Sequence, residues 1–211
     1  MVPDGATIGY GTGRAATAAL EALALRVRKG LRVRGVPTSK KTAEVAQRLG
    51  LPIVQLCDVV GLDMVIDGAD EVDEEYQVLK GGGGALTREK LVALVARERV
   101  LVLEESKRVH RLGSTRGLPI EIIGFGWPQT VERISAVLPG AALRRNADGS
   151  PTTTDNHGLL CDAPIPAGAD LRALAREVKL LSGVVEHGLF LDLSPTLVVG
   201  GESGIRVLRG R

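Results

Sequence analysis

The sequence predicts an α/β protein: a parallel sheet with helices on both faces, and a smaller α+β unit inserted late in the chain. Three observations predict it. Short apolar runs alternate with helical patterns through residues 6–103, the order changes to β-α-β-β-α-β near Gly113, and an apolar run at 196–199 returns to parallel-sheet character. Strands alternating with helices need crossover connections, and those connections cover both faces of the sheet. A chain of 211 residues suffices for one large domain or two small ones. The expected division is 1–115 with 195–211 for the parallel-sheet domain, and 116–194 for the inserted one.

Each element has its own signal. Residues 6–10 read as a strand ending in Gly11-Thr12-Gly13, followed by an Ala/Leu-rich helix over 15–29. A second strand over 31–35 runs into the turn Pro37-Thr38-Ser39, where Thr38 or Ser39 can cap a helix over 41–49. Short strands at 53–56 and 62–66, a helix over 85–97 and a buried strand over 100–103 follow. In the second unit 119–123, 142–145 and 159–161 read as strands, 129–137 and 171–181 have helical spacing, and 184–191 reads as one strand. That succession is the ferredoxin-like one.

Composition excludes several classes. A net charge of +2 gives no electrostatic case for nucleic acid, and 2% aromatic residues leave few rings on which bases could stack. No apolar run reaches the ~18–20 residues of a membrane span. The opening MVPDGATIGY lacks the basic region and apolar run of a signal peptide. A cytoplasmic protein without nucleic-acid or membrane partners is expected. Cys57 and Cys161 match no metal spacing, and His110, His157 and His187 stand alone, so no metal site is expected.

The chemistry-bearing residues gather between positions 9 and 107. Gly9-Tyr10-Gly11-Thr12-Gly13 is a strand-to-helix turn where a ligand can approach backbone, at a helix end that attracts phosphate. It is no dinucleotide fingerprint, because Arg14 holds the last glycine position. A monophosphate fits better. Thr38, Ser39 and Lys40 follow the second strand, where helix capping accounts for the hydroxyls. Asp67 falls at the end of the strand 62–66, with Asp70 beyond Gly68-Ala69; Ala69 breaks the calcium-loop pattern. Asp73, Glu74 and Glu75 read as a solvated turn. Lys80 and the four glycines that follow can bend tightly and present N–H groups to an anion. Glu89, early in the next helix, is a carboxylate available as a base, and Lys107 follows the strand 100–103.

Taken in order, these segments resemble ribose-5-phosphate isomerase, type A. The matches are GYGTG (9–13), GVPTS (35–39), DMVIDGADEVD (63–73), LKGGGGALTREK (79–90), EESKRVHRLG (104–113), PIEII (119–123), TDN (154–156) and GVVEHGLF (183–190). The resemblance implies a Rossmann-like domain with a ferredoxin-like second domain. It also implies interconversion of D-ribose 5-phosphate and D-ribulose 5-phosphate without metal or cofactor, and a homodimer or homotetramer. It makes Glu89 the base that moves a proton between C1 and C2, with Asp67 and Lys80 as its catalytic partners. The substrate-binding set it implies is Thr12, Gly13, Arg14, Ala15, Asp67, Gly68, Ala69, Asp70, Lys80, Gly81, Gly82, Gly83 and Lys107. Arg14 and Ala15 stand where the family's turn usually continues with Ser and Thr, and a charged fork from Arg14 can replace those hydroxyls. Family members usually carry a helix ahead of the first strand, which Ala6 already begins here. The competing readings are a non-catalytic sugar-phosphate sensor domain and a degenerate isomerase; retention of Glu89 favours the enzyme.

Overall fold

All five residues of the first strand, ATIGY, are buried, as a strand must be when helices cover both faces of a parallel sheet. The computed structural model describes residues 2–202 and 204–210. Met1, Ser203 and Arg211, inside the range expected for the first domain, lie outside the described residues. In chain order the elements begin β1 (Ala6–Tyr10), α1 (Arg14–Arg28), β2 (Val33–Pro37), α2 (Lys40–Arg48) and β3 (Leu62–Asp67). β4 (Glu71–Val72), β5 (Val78–Leu79), α3 (Leu86–Val95) and β6 (Ala96–Glu104) follow. Next are β7 (Leu118–Ile122), α4 (Trp127–Val137), β8 (Ala142–Leu143), β9 (Leu159–Ala163), α5 (Leu171–Lys179) and β10 (Val184–His187). β11 (Leu189–Phe190), β12 (Thr196–Gly201) and β13 (Gly204–Arg209) complete the set.

The chain divides into two units, the first made of Met1–Ala69, Arg88–Lys107 and Leu193–Arg211. Its six-stranded sheet has the order β13-β12-β6-β3-β1-β2. Every pairing is parallel except that of β13 with β12. Ile8 and Tyr10 pack with Leu20, Leu23 and Ala24 of α1 and with Ala46 of α2. Gly9 lies between them and faces the other side, where an added Cβ would come within 2.5 Å of Val92 on α3. Successive strand residues face opposite sides, so helices cover both faces as predicted. Burying Ile8 and Leu20, at 0% and 1% exposure, stabilises the fold by about 1.5–3 kcal/mol each. α2 starts where Ser39 accepts a hydrogen bond from the Thr42 N–H at 3.0 Å.

Two features of this sheet differ from the sequence reading. The strand expected at 53–56 is a single bridge, Ile53 beside Gly35, followed by a one-turn helix at Leu56–Asp58. Gly35 alone pairs there, donating to Pro52 O and accepting from Val54 N, both at 2.9 Å. The edge strand β13 was not expected: its Ile205 and Val207 are 77% and 52% exposed, so its pattern carries no burial signal.

The second unit comprises Asp70–Thr87 and Arg108–Asp192. Its four-stranded antiparallel sheet, β10-β7-β9-β8, is built from the chain order β7-α4-β8-β9-α5-β10, the ferredoxin-like arrangement. Leu118, Ile120 and Ile122 of β7 and Cys161 of β9 pack with Ile134 and Leu138 and with Leu174 and Val178 of α5. The segment 184–191, expected as one strand, is two. β10 pairs with β7, while β11 joins β5 and β4 in a separate three-stranded sheet. That second sheet groups Asp70–Thr87 with this unit. Gly188 is the crossing point: its N–H donates to Pro119 O at 2.8 Å and its carbonyl accepts from Lys80 N at 2.9 Å. A Cβ on Gly188 would stand 2.1 Å from the Lys80 carbonyl, so only glycine fits there.

Candidate active site

In the first unit, β1, β3 and β6 run parallel and end at one edge of the sheet, the edge where ligands bind in open α/β folds. Asp67, the last residue of β3, is 3% exposed. Its Oδ1 accepts from the backbone N–H of Thr12 at 3.0 Å and of Gly68 at 2.7 Å, so the carboxylate is aimed by main chain. Gly11 makes room for it, since a Cβ there would lie 2.4 Å from Asp67 Oδ1. Gly68 and Ala69 continue from this strand end.

Thr12 is committed within the protein. Its hydroxyl lies 2.8, 2.9 and 3.0 Å from those of Thr38, Ser39 and Thr42. One chain of donors runs Thr12 to Ser39 to Thr42 to the Gly11 carbonyl, and Thr38 donates to Tyr10 O at 3.1 Å. A hydroxyl has one proton, and this cluster uses it. The other residues expected at the phosphate end are Gly13, Arg14, Ala15 and Lys107. Gly13, at φ 106, precedes α1 without a side-chain cap. The first main-chain bond of the helix is Thr17 N to Gly13 O, at 2.9 Å, so the amides of Arg14 and Ala15 have no intrahelical acceptor. The Arg14 side chain is 92% exposed, with Nη2 3.7 Å from Glu104 Oε1. Lys107 ends the helical turn Glu105–Lys107 after β6 and is half-buried.

Glu89 is 5% exposed in the first turn of α3. α3 runs directly into β6 at Ala96, so its first turn is at the opposite end, level with the edge where the strands finish. Glu89 shares a helix face with Val92, three residues on, and Val92 packs against β1 at Gly9. The helix macrodipole favours negative charge at this end.

The second unit carries Asp70, Lys80 and the glycine loop. Lys80 is 4% exposed, with Nζ 5.9 Å from the centre of the Phe190 ring, within cation–π range. Gly81 has φ +110, and Gly84 (φ +80) closes the turn by donating to the Gly81 carbonyl at 3.1 Å. Asp70 supports this loop directly. Its Oδ2 accepts from Gly82 N at 2.7 Å, and its Oδ1 accepts from Arg116 Nη1 at 3.3 Å. Arg144 Nη1 donates to the carbonyls of Gly81 and Gly82, each at 3.1 Å, while Asp162 grips the same guanidinium. A cavity of about 430 Å³ opens here, lined by Gly82, Arg116, Gly117, Pro119, Arg144 and Asp162. Gly83 is exposed at the loop tip.

Sequence reasoning missed Arg116, Arg144 and Asp162, and two buried carboxylates with them. Glu71, at 0% exposure, accepts from the N–H groups of Gly113 and Thr115 at 2.6 Å and of Arg116 at 3.1 Å, which fixes the loop that carries Arg116. Glu121, at 1% exposure, accepts from the hydroxyls of Thr87 and Thr154 and from the Asn156 side chain. A glutamate inside the apolar run PIEII was the available signal for Glu121. The predicted site residues thus fall into two groups, one on each unit; hydrogen bonds within its own unit hold Asp67 and Thr12 in the first, and Asp70 and the glycine loop in the second.

A family model, ribose 5-phosphate isomerase A (phosphoriboisomerase A), matches residues 34–204. The chain belongs to the ribose 5-phosphate isomerase A family. Curated relatives extend the likeness to both ends of the chain. Ribose-5-phosphate isomerase A of Thermomicrobium roseum is 43% identical over 209 residues, covering 99% of this chain and 88% of its own. That of Bacillus mycoides is 42% identical, covering 98% and 93%. Among solved structures, ribose 5-phosphate isomerase A from Methanocaldococcus jannaschii has a TM-score of 0.92 at 33% identity, covering 99% of this chain and 93% of that one. A D-ribose-5-phosphate isomerase in complex with phospho-erythronic acid has a TM-score of 0.94 at 32% identity, covering 99% and 92%. This member of the ribose 5-phosphate isomerase A family has both a parallel α/β sheet and a ferredoxin-like unit.

Proposed function

We propose that the protein interconverts D-ribose 5-phosphate and D-ribulose 5-phosphate through an enediol(ate), in the pentose phosphate pathway of the cytoplasm. The observation that carries this reading is Glu89: a carboxylate 5% exposed in a helix first turn, in a chain that belongs to the family over nearly its whole length.

In the proposed mechanism Asp67 assists opening of the sugar ring and, with Asp70, binds its hydroxyls. The Glu89 carboxylate then takes the proton from C2 of the open aldose. The electrons of that C–H bond form the C1=C2 double bond, and charge develops on O1. Lys80 and the loop Gly81–Gly83, in which Asp70 holds the Gly82 amide and the other amides are left to donate, steady this charge, as preorganised donors do best in a site that needs no rearrangement. Glu89 returns the proton to C1, the O2 proton passes to O1, and C2 becomes the carbonyl. The hydrogen moves as a proton, so the step calls on no redox cofactor.

The amides of Arg14 and Ala15, with the side chains of Arg14 and Lys107, form the proposed phosphate end. The first turn of a helix supports this reading because its N–H groups and dipole favour a dianion. We also propose a homodimer or homotetramer; the exposed Ile205 and Val207 of β13 offer apolar surface that a second copy would cover.

Incubation with ribose 5-phosphate in D2O tests the reading. Ketose should form, with deuterium at C1 to the extent that the proton held by Glu89 exchanges with solvent before it is returned. Absence of ketose contradicts the reading.

A further inference from the structure

The Arg144 guanidinium makes four hydrogen bonds within the second unit. Nε and Nη2 donate to Oδ2 and Oδ1 of Asp162 at 2.7 and 2.5 Å, and Nη1 donates to the carbonyls of Gly81 and Gly82 at 3.1 Å each. Its backbone is held as well: Arg144 N donates to Leu160 O at 2.7 Å, and Arg144 O accepts from Thr152 N at 2.9 Å. The side chain is 21% exposed. A planar, bidentate pairing of this kind gives geometric definition as well as energy.

In a planar trans peptide, the C=O and the N–H of the same unit point in opposite directions. Gripping the carbonyls of Gly81 and Gly82 on one side turns the N–H groups of Gly82 and Gly83 to the other. Gly82 N–H is taken by Asp70 Oδ2 at 2.7 Å. Gly83 N–H, in the second fixed peptide, has no acceptor among the described residues. A cation at the carbonyl also polarises the peptide and strengthens its N–H as a donor.

We infer that Arg144 is a positioning residue for isomerisation: locked by Asp162, it orients the peptides of the glycine loop so that Gly83 N–H meets the charge developing on O1. Asp70 has the complementary task of holding the other amide of the loop. The inference rests on the isomerase reading above. It adds a residue that touches neither the sugar nor the phosphate and yet sets how well the anion is received.

The test is Arg144→Lys in the full-length protein. Lysine keeps the charge but cannot bond Asp162 twice and both carbonyls at once. Two ligands separate the effects: phospho-erythronic acid, whose carboxylate mimics the anionic intermediate, and ribitol 5-phosphate, which keeps the hydroxyls and phosphate but has no charge at the reacting end. The variant should lose about 10–100-fold in kcat with KM within about threefold of wild type. It should bind phospho-erythronic acid about tenfold more weakly and ribitol 5-phosphate unchanged. In Arg144→Ala, added guanidinium should restore part of kcat. Wild-type kcat in Arg144→Lys overturns the inference, as does equal weakening of both ligands with a fall in Tm, the mark of a purely structural residue. A wild-type protein that does not turn over ribose 5-phosphate defeats the isomerase reading itself, and this inference with it.

Discussion

The Thr87 hydroxyl donates to Oε2 of Glu121, and Thr87 lies two residues before Glu89 on the same helix. Glu121 also accepts from Thr154 Oγ1 at 2.6 Å and from Asn156 Nδ2 at 3.2 Å. A buried carboxylate is tolerated only when its oxygens are satisfied. Thr87→Val keeps the shape and removes one donor, so it should cost about 1–3 kcal/mol of stability. Urea denaturation reads this directly; an unchanged midpoint would show that the bond contributes nothing.

Arg14 is the first residue of α1, and among the described residues its one ion pair is a loose, exposed contact with Glu104 at 3.7 Å. Exposed pairs of this kind contribute little to stability. Arg14→Ala should therefore leave the unfolding midpoint unchanged. If Arg14 receives the phosphate, KM for ribose 5-phosphate should rise by about tenfold or more, with kcat nearly unchanged. A KM equal to wild type would remove Arg14 from the phosphate end and leave Lys107 and the helix amides.

The two cysteines should react differently. Cys57 is exposed, whereas Cys161 is buried in the ferredoxin-like core, and burial pushes its thiol up to about 12. The thiolate is the reactive form. A thiol-disulfide reagent at pH 8 should titrate one thiol in the native protein and two in urea, with Cys57 carrying the native label by mass spectrometry. Rapid native labelling of Cys161 would contradict the packing of β9 against α4 and α5.

Burial also pushes the Tyr10 phenol up to about 12 from an ordinary 10.0. Between those values the unfolded chain has lost this proton and the folded chain keeps it. The unfolded state binds fewer protons there, so stability falls as pH rises from about 10 to about 12, and the contribution is intact below about 10. Other groups titrate in the same window. The comparison that isolates Tyr10 is with Tyr10→Phe, whose stability should decline less steeply over that range. Identical slopes would mean that the phenol is hydrated in the native state.

The parts of the fold that were legible in the sequence are those where burial follows a period. β1, α1, β3 and α5 have apolar residues at the spacing of their element, and the glycine at each turn stands where the backbone bends. Less legible was anything decided by a distant partner. The segment 184–191 reads as one apolar run, but Gly188 passes it from β7 to β5. β13 puts Ile205 and Val207 in solvent, so its apolar residues do not mark a buried face. At the candidate site, Asp67, Lys80 and Glu89 stood out by residue type and position. Arg144 and Asp162 did not, because nothing local in LRRN or CDA points to a glycine loop more than 60 residues away; 63 positions separate Arg144 from Gly81. Thr12 was legible as a turn residue, but the use of its hydroxyl became visible only with Thr38, Ser39 and Thr42 around it.

The central claim is that Glu89 moves the proton. A coupled assay of ribulose 5-phosphate formation, comparing wild type with Glu89→Gln, tests it most directly. The amide fills the same space but cannot accept the C2 proton. We expect wild-type turnover that is indifferent to EDTA, and a Glu89→Gln variant that binds ribose 5-phosphate yet loses at least about 10²–10⁴-fold in kcat. Turnover by Glu89→Gln close to that of wild type would contradict the account.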